Sequence, residues 1–333
     1  MRPQVLDVVT FGEAMVMFVA AQAGPLEEVT TFSRALAGAE TNVAIGLARL
    51  GHASAWIGRV GDDVFGRFAC AEMASEGVDT SGVSLDANAP TGFQLKSRAD
   101  GGDPEVVYFR KNSAGSRLAT SSSSDHQISS ARHLHTTGIP LALSKSAREF
   151  ATGAVATARA VGATVSFDPN LRPELWTSLE EMIETTNAMA ATADWVMPGL
   201  AEGRILINNP AADADQVARY YLERGASRVV VKAGCRGASL HTPHGRWSHP
   251  VFPVNVVDTV GAGDGFAVGL ISAELDGLAP DAALERAAAV GALAVTSAGD
   301  KDGLPSRLEL DRFLSRHRAG VGSRTGGGEG NAA

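Results

Sequence analysis

The sequence predicts an α/β fold, a mostly parallel central sheet with helices on both faces, plus a small β lid. Three observations predict it. Short apolar strands such as Val229-Val230-Val231 alternate with helical segments at the spacing of strand–helix–strand units. A Gly-Ala-Gly turn, within Asp258-Thr259-Val260-Gly261-Ala262-Gly263-Asp264, opens an apolar helix late in the chain. Two segments, 13–34 and 89–112, break the alternation and read as strands outside it.

Val5 to Phe11 reads as a buried strand closed by Gly12. Thr41 to Leu50 has helical spacing and ends at Gly51, a C-cap candidate. Ala53 to Ile57 is a strand, and Phe65 to Glu76 a helix stopped by Gly77. Thr91 to Ser97 and Val106 to Arg110 form a hairpin with Asp100-Gly101-Gly102 at its tip. Ser121 to Ser124 reads as a polar loop. Ala147 to Val161 is a helix ended by Gly162, and Ala163 to Phe167 a strand. Trp195 to Met197, Val229 to Val231, and the run containing Val254, Val256 and Val257 are further strands. The Gly-rich stretch from Gly320 to Ala333 reads as disordered. The expected division is an α/β domain over 1–12, 36–88 and 113–316, a lid over 13–35 and 89–112, and a tail over 320–333. No internal repeat stands out.

The chain has 333 residues, 44% of them hydrophobic, enough for a large core. Its net charge of −8 and lack of a basic patch argue against nucleic acid. Cys70 and Cys235 lack metal-ligand spacing and suit a reducing compartment. With no signal-peptide core and no membrane-length apolar run, a cytoplasmic protein is expected. No P-loop, zinc spacing, H-E-x-x-H or nucleophile elbow is present. Gly261 and Gly263 fall one glycine short of a dinucleotide fingerprint, and stand too late in the chain for one.

The turn at 258–264 carries the chemistry. A Gly-rich turn at a helix N-terminus presents free N–H groups and the positive end of the helix dipole, and so holds anions. A carboxylate there repels such an anion. It makes sense if Asp264 takes a proton from a hydroxyl while Gly261, Ala262 and Gly263 stabilise a transferring phosphoryl group. The competing reading is that Asp264 only caps the helix.

Ala37-Gly38-Ala39-Glu40-Thr41-Asn42, Gly58-Arg59-Val60-Gly61-Asp62-Asp63 and the turn at 258–264 together resemble the ribokinase-like (PfkB) sugar kinases, over about Val5 to Leu314. Further stretches resemble the 2-keto-3-deoxygluconate kinases among them: Tyr108 to Ser116, Leu134 to Ile139, Asp168-Pro169-Asn170-Leu171-Arg172 and Gly299-Asp300. The resemblance implies a ribokinase-like fold, ATP and magnesium, with a monovalent cation left open, and an acid sugar as the other substrate. It leaves room for a homo-oligomer formed through the lid. It implies that Asp264 is the base and that Gly261 to Gly263 form the anion hole. It places the sugar on Gly38, Asn42, Gln94, Tyr108, Arg110, Ile139, Arg172 and Asp300. Lys232, Gly234, Gly237, Gly261 and Gly263 would lie along the nucleotide, and Glu202 would act on the metal indirectly.

Four positions depart from the pattern: Gln94 for a lid tyrosine, Gly199 for Asn or Ser, Ala37 for glycine and Ala288 for Asn. None removes the base or the anion hole. Arg110 and Arg172 would suit a carboxylate by two-point geometry, which a neutral sugar does not need. The rival readings are a solvated charge for Arg110, a loop salt bridge for Arg172, a loop cap for Asp300 and a surface helix charge for Glu202. His133 and His135 read as structural. The expected activity is phosphorylation of 2-keto-3-deoxygluconate at its terminal hydroxyl. A kinase for fructose or a nucleoside, and a sugar-binding protein without catalysis, are the alternatives.

Overall fold

The computed structural model describes residues 6–98 and 104–324. The strands are β1 (Leu6–Gly12), β2 (Met15–Ala20), β3 (Phe32–Ala37), β4 (Ser54–Gly61), β5 (Ser84–Asp86), β6 (Phe93–Lys96), β7 (Val106–Phe109), β8 (Ala131–Thr137), β9 (Thr164–Asp168), β10 (Trp195–Val196), β11 (Arg228–Lys232), β12 (Ala238–Thr242) and β13 (Gly245–His249). The helices are α1 (Ala39–Arg49), α2 (Val64–Ser75), α3 (Ser122–Ser130), α4 (Ile139–Leu143), α5 (Lys145–Ala160), α6 (Leu179–Ala190), α7 (Leu200–Leu206), α8 (Ala214–Leu222), α9 (Ala262–Leu275), α10 (Pro280–Ala294) and α11 (Arg307–Arg324).

Nine strands form the main sheet in the order β13-β12-β11-β10-β9-β8-β1-β4-β5. It is parallel from β5 to β11; β12 and β13 add an antiparallel edge. The central strands are buried on both faces, so successive residues feed different cores. Val9, Phe11, Val165, Phe167, Val229 and Val231 pack on one side with residues of α5, α6 and α8. Val8, Trp195 and Val230 pack on the other with residues of α1, α9 and α10. This is why the strands read as continuous apolar runs rather than alternating ones.

From β1 the chain builds outward in two directions, to β4 and β5 on one side and to β8 through β11 on the other. Such a switch point leaves a crevice at the carboxyl ends of the strands, where open α/β sheets bind ligands. Over it lies the second sheet, β3-β2-β6-β7, built from the two segments outside the alternation. β6 and β7 pair antiparallel as the expected hairpin; its tip, Asp100-Gly101-Gly102, and Val5 fall outside the described residues.

Three expectations are corrected. Val254, Val256 and Val257 form no strand: 250–256 run without regular structure, and Val256 and Val257 are exposed. They pair with no strand among the described residues, and β-branched composition alone does not make a strand. Ser121 to Ser124 is not a loop. Ser121 caps α3, accepting from the Ser124 amide while the Ser124 hydroxyl accepts from Ser121 N. Finally, α11 continues to Arg324, so 320–324 of the stretch expected to be disordered are helical, and 325–333 fall outside the described residues.

Candidate active site

α9 begins at Ala262, with Gly261 as its N-cap at φ +83°. A side chain at Gly261 would be strained there and would meet the Asp300 carbonyl at 2.6 Å. Asp264 is therefore a first-turn residue rather than the cap. Its Oδ2 accepts a hydrogen bond of 2.8 Å from Asn42 Nδ2, on α1. Burial pushes its carboxyl up to about 8; Asn42 opposes this, while the carboxylates of Asp168, Glu40 and Asp300 add to it. A carboxyl held near neutrality is suited to taking a proton.

Two cavities meet at this turn. One, of about 840 Å³, is lined by Lys232, Gly234, Gly237, Ala262, Gly263 and an apolar wall that includes Val251, Phe252, Val254, Val256, Ala288 and Val295. Val254 and Val256, absent from the sheet, thus line this cavity. The other, of about 460 Å³, lies beneath the lid and is far more polar in its lining. It brings together Gly38, Asn42, Gln94, Tyr108, Arg110, Ile139, Arg172 and Asp300, with Glu202, Gly261 and Asp264. Lys232, Thr259 and Gly263 line both cavities. Gly261 lines the lid cavity and not the larger one.

The charges in the lid cavity are mostly paired. Arg110 gives Nε to Glu13 Oε2 at 2.8 Å and also binds it through Nη2; the side chains are 9% and 1% exposed. Arg110 is thus neither a solvated charge nor a free cation. Arg172 donates Nη1 to the Leu171 carbonyl at 2.8 Å, and among the described residues no carboxylate pairs with it. Asp300 is not a loop cap: its Oδ1 accepts from Lys96 Nζ at 2.9 Å. Lys232 pairs with Asp168, and its Nζ is 3.5 Å from where a Cβ on Gly263 would stand. Glu202 accepts from the Gly199 amide and the Leu171 amide, both at 2.7 Å. Through these two bonds Glu202 fixes the start of α7 and the loop after β9. His133 and His135 share the Ser166 hydroxyl, and burial lowers both to about 3, so they are neutral and structural.

Sequence reasoning missed Glu13, Glu40, Lys96 and Asp168 as members of this site. Glu40 is 1% exposed and accepts from the Thr137 hydroxyl; burial pushes its carboxyl up to about 7. A Cβ on Gly12 would strike Glu40 Oε2 at 2.3 Å, so the glycine that ends β1 makes the room for it. A signal was present in the apolar face of α1, where a carboxylate is out of place unless it serves a site.

The family model for pfkB family carbohydrate kinases matches residues 5–307. The chain is 50% identical to the 2-dehydro-3-deoxygluconokinase of Bacillus subtilis (strain 168), over 94% of this chain and 97% of that one. It superposes on a PfkB protein from Polaromonas sp. JS666 with a TM-score of 0.83 and 47% identity, covering 92% of this chain and 99% of that one. It also superposes on an E. coli protein provisionally named ribokinase II, in complex with ATP and Mg2+, with a TM-score of 0.86 and 29% identity over 94% and 100%. The two-cavity site, the glycine turn and the match along nearly the whole chain agree: the chain belongs to the PfkB family of carbohydrate kinases.

Proposed function

We propose that this protein transfers the γ-phosphoryl group of ATP to the terminal hydroxyl of 2-keto-3-deoxygluconate (2-dehydro-3-deoxygluconate), giving the 6-phosphate. The observation that carries the reading is the junction of the two cavities at Lys232 and Gly263, with Asp264 on the lid side. A nucleotide in the larger cavity brings its phosphates to the junction, and a sugar hydroxyl in the smaller one meets the Asp264 carboxylate there. Asp264 takes the hydroxyl proton as the new O–P bond forms and the bond to the β-phosphate oxygen breaks. The first-turn amides and the Lys232 ammonium face the charge that builds on the phosphoryl oxygens. The lid keeps out water, which would otherwise compete as acceptor.

The site fits the nucleotide. The apolar wall suits a base, and a Cβ on Gly237 would stand 2.1 Å from the His249 carbonyl, so only glycine lets the backbone turn there. The donor set also fits magnesium. Among the described residues no cluster of three or more His, Cys, Asp or Glu makes a metal cage. Magnesium that works with phosphates keeps its waters and needs only one or two carboxylates, and Asp168 and Glu202 line the lid cavity. Asp168 and Glu202 are the carboxylates that would hold magnesium, which would offset the negative charge of the phosphates.

The acid sugar is held by Arg172, with Arg110 contributing in part because Glu13 already shares its charge. Gln94, Tyr108, Gly38, Ile139 and Asn42 shape the remainder of the sugar site. The identity of the Bacillus subtilis kinase supports this choice of substrate. The Arg110–Glu13 pair is the one feature that favours a neutral sugar instead. ATP consumption measured with keto-deoxy acids, fructose and nucleosides tests the two readings. Turnover is expected on 2-keto-3-deoxygluconate with little on fructose; the reverse order would overturn the acid-sugar reading.

A further inference from the structure

Lys96 ends β6, a lid strand, yet it is only 2% exposed. Gln94 and Lys96 both face the lid cavity. The Lys96 ammonium lies 2.5 Å from Asp258 Oδ2 and 2.9 Å from Asp300 Oδ1, with the Ala298 carbonyl at 3.4 Å. These two carboxylates come from the two segments that shape the anion-hole turn. Asp258 Oδ1 accepts from the Val260 amide at 3.0 Å, fixing the approach to Gly261. The Asp300 carbonyl lies against Gly261 closely enough to exclude a Cβ. One ammonium on the lid therefore grips both sides of the turn, and without it two carboxylates would face each other in a buried place.

We propose that Lys96 is a positioning residue for phosphoryl transfer: its ammonium ties the lid to Asp258 and Asp300 and so holds the anion-hole turn in its working shape while the lid covers the sugar. The Lys96 ammonium bonds to Asp258, Asp300 and the Ala298 carbonyl rather than to Asp264, and Lys96 does not line the larger cavity. This rests on the kinase reading above, and the two can fail separately. A wild-type protein that phosphorylates no sugar fails the kinase reading; a working wild-type with an equally working Lys96 variant fails this one.

The test is steady-state kinetics of Lys96→Met, which keeps the length and apolar stem but removes the charge. A charge-assisted contact of this kind is worth enough for kcat to fall by about 10- to 100-fold. KM for ATP should stay near the wild-type value, because Lys96 lies outside the nucleotide cavity. Lys96→Arg should recover most of the turnover by keeping a cation between the two carboxylates. Wild-type kcat in a folded Lys96→Met protein, or a loss seen only as a raised KM, would overturn the proposal. If Lys96→Met does not fold, Lys96→Gln takes its place, since its amide can still donate to a carboxylate. Lost turnover is expected there too, and wild-type turnover overturns the idea.

Discussion

At the scale of single residues, Asp264 makes the most exposed claim. Asp264→Asn keeps the shape but cannot accept a proton, so kcat should fall by roughly 10²–10⁴-fold. With the carboxyl pushed up to about 8, kcat/KM of the wild type should rise with pH through that region. The linkage sign for stability runs opposite to the common carboxylate case. The unfolded chain loses this proton near its ordinary acidic pKa, while the folded protein keeps it until about pH 8. Stability is therefore drawn down as pH rises between those two values. Asp264→Asn removes that penalty, and its thermal midpoint at pH 8 should exceed the wild type's. A midpoint at or below wild type would mean the carboxyl is not held protonated. The two arginines should separate as well. Arg172→Ala should raise KM for 2-keto-3-deoxygluconate by about 10- to 100-fold with the fold intact. Arg110→Ala leaves Glu13 buried and unpaired, and should cost about 3–5 kcal/mol of stability, measurable by denaturant unfolding. Equal effects at the two positions would contradict the pairing seen here.

At the scale of elements, the turn before α9 assigns different work to its glycines. Gly261 has the positive φ and the backbone neighbour, so Gly261→Ala should lose about 1–3 kcal/mol and most of the turnover together. Gly263 has an ordinary φ, and a Cβ there would stand an unstrained 3.5 Å from Lys232 Nζ. Gly263→Ala should fold with near wild-type stability but slow phosphoryl transfer, because it intrudes where the cavities meet. Unfolding curves and kcat on the same two proteins check this. If Gly263→Ala unfolds as readily as Gly261→Ala, the assignment is wrong.

At the scale of the whole molecule, the lid, the switch point beside β1 and the two cavities form one device. Ligand that binds only the folded state at 100 times its Kd stabilises by about 2.7 kcal/mol. With Asp264→Asn blocking turnover, saturating 2-keto-3-deoxygluconate should raise the thermal midpoint, whereas fructose at the same concentration should not. A matching rise with fructose would return the neutral sugar to first place.

The sequence by itself determined the α/β alternation, the hairpin of the lid, and the glycine turn with its carboxyl at the start of an apolar helix, because these depend on local pattern: apolar runs, helix stops and residues adjacent in the chain. Through its resemblance to the family's motifs it also marked eight residues expected on the sugar, and all of them line one cavity. Only the tertiary structure decided what each charge does there. Glu13 and Arg110 are 97 residues apart, Lys232 and Asp168 are 64 apart, and Lys96 and Asp300 are 204 apart. No spacing rule links such positions; they meet because β1, β9, β11 and the lid end at one crevice. The strand expected at Val254 failed for the same reason. A strand needs a neighbour to bond with, and whether a segment pairs with a sheet or lines a cavity, as Val254 and Val256 do, is decided by the fold, not by the valines.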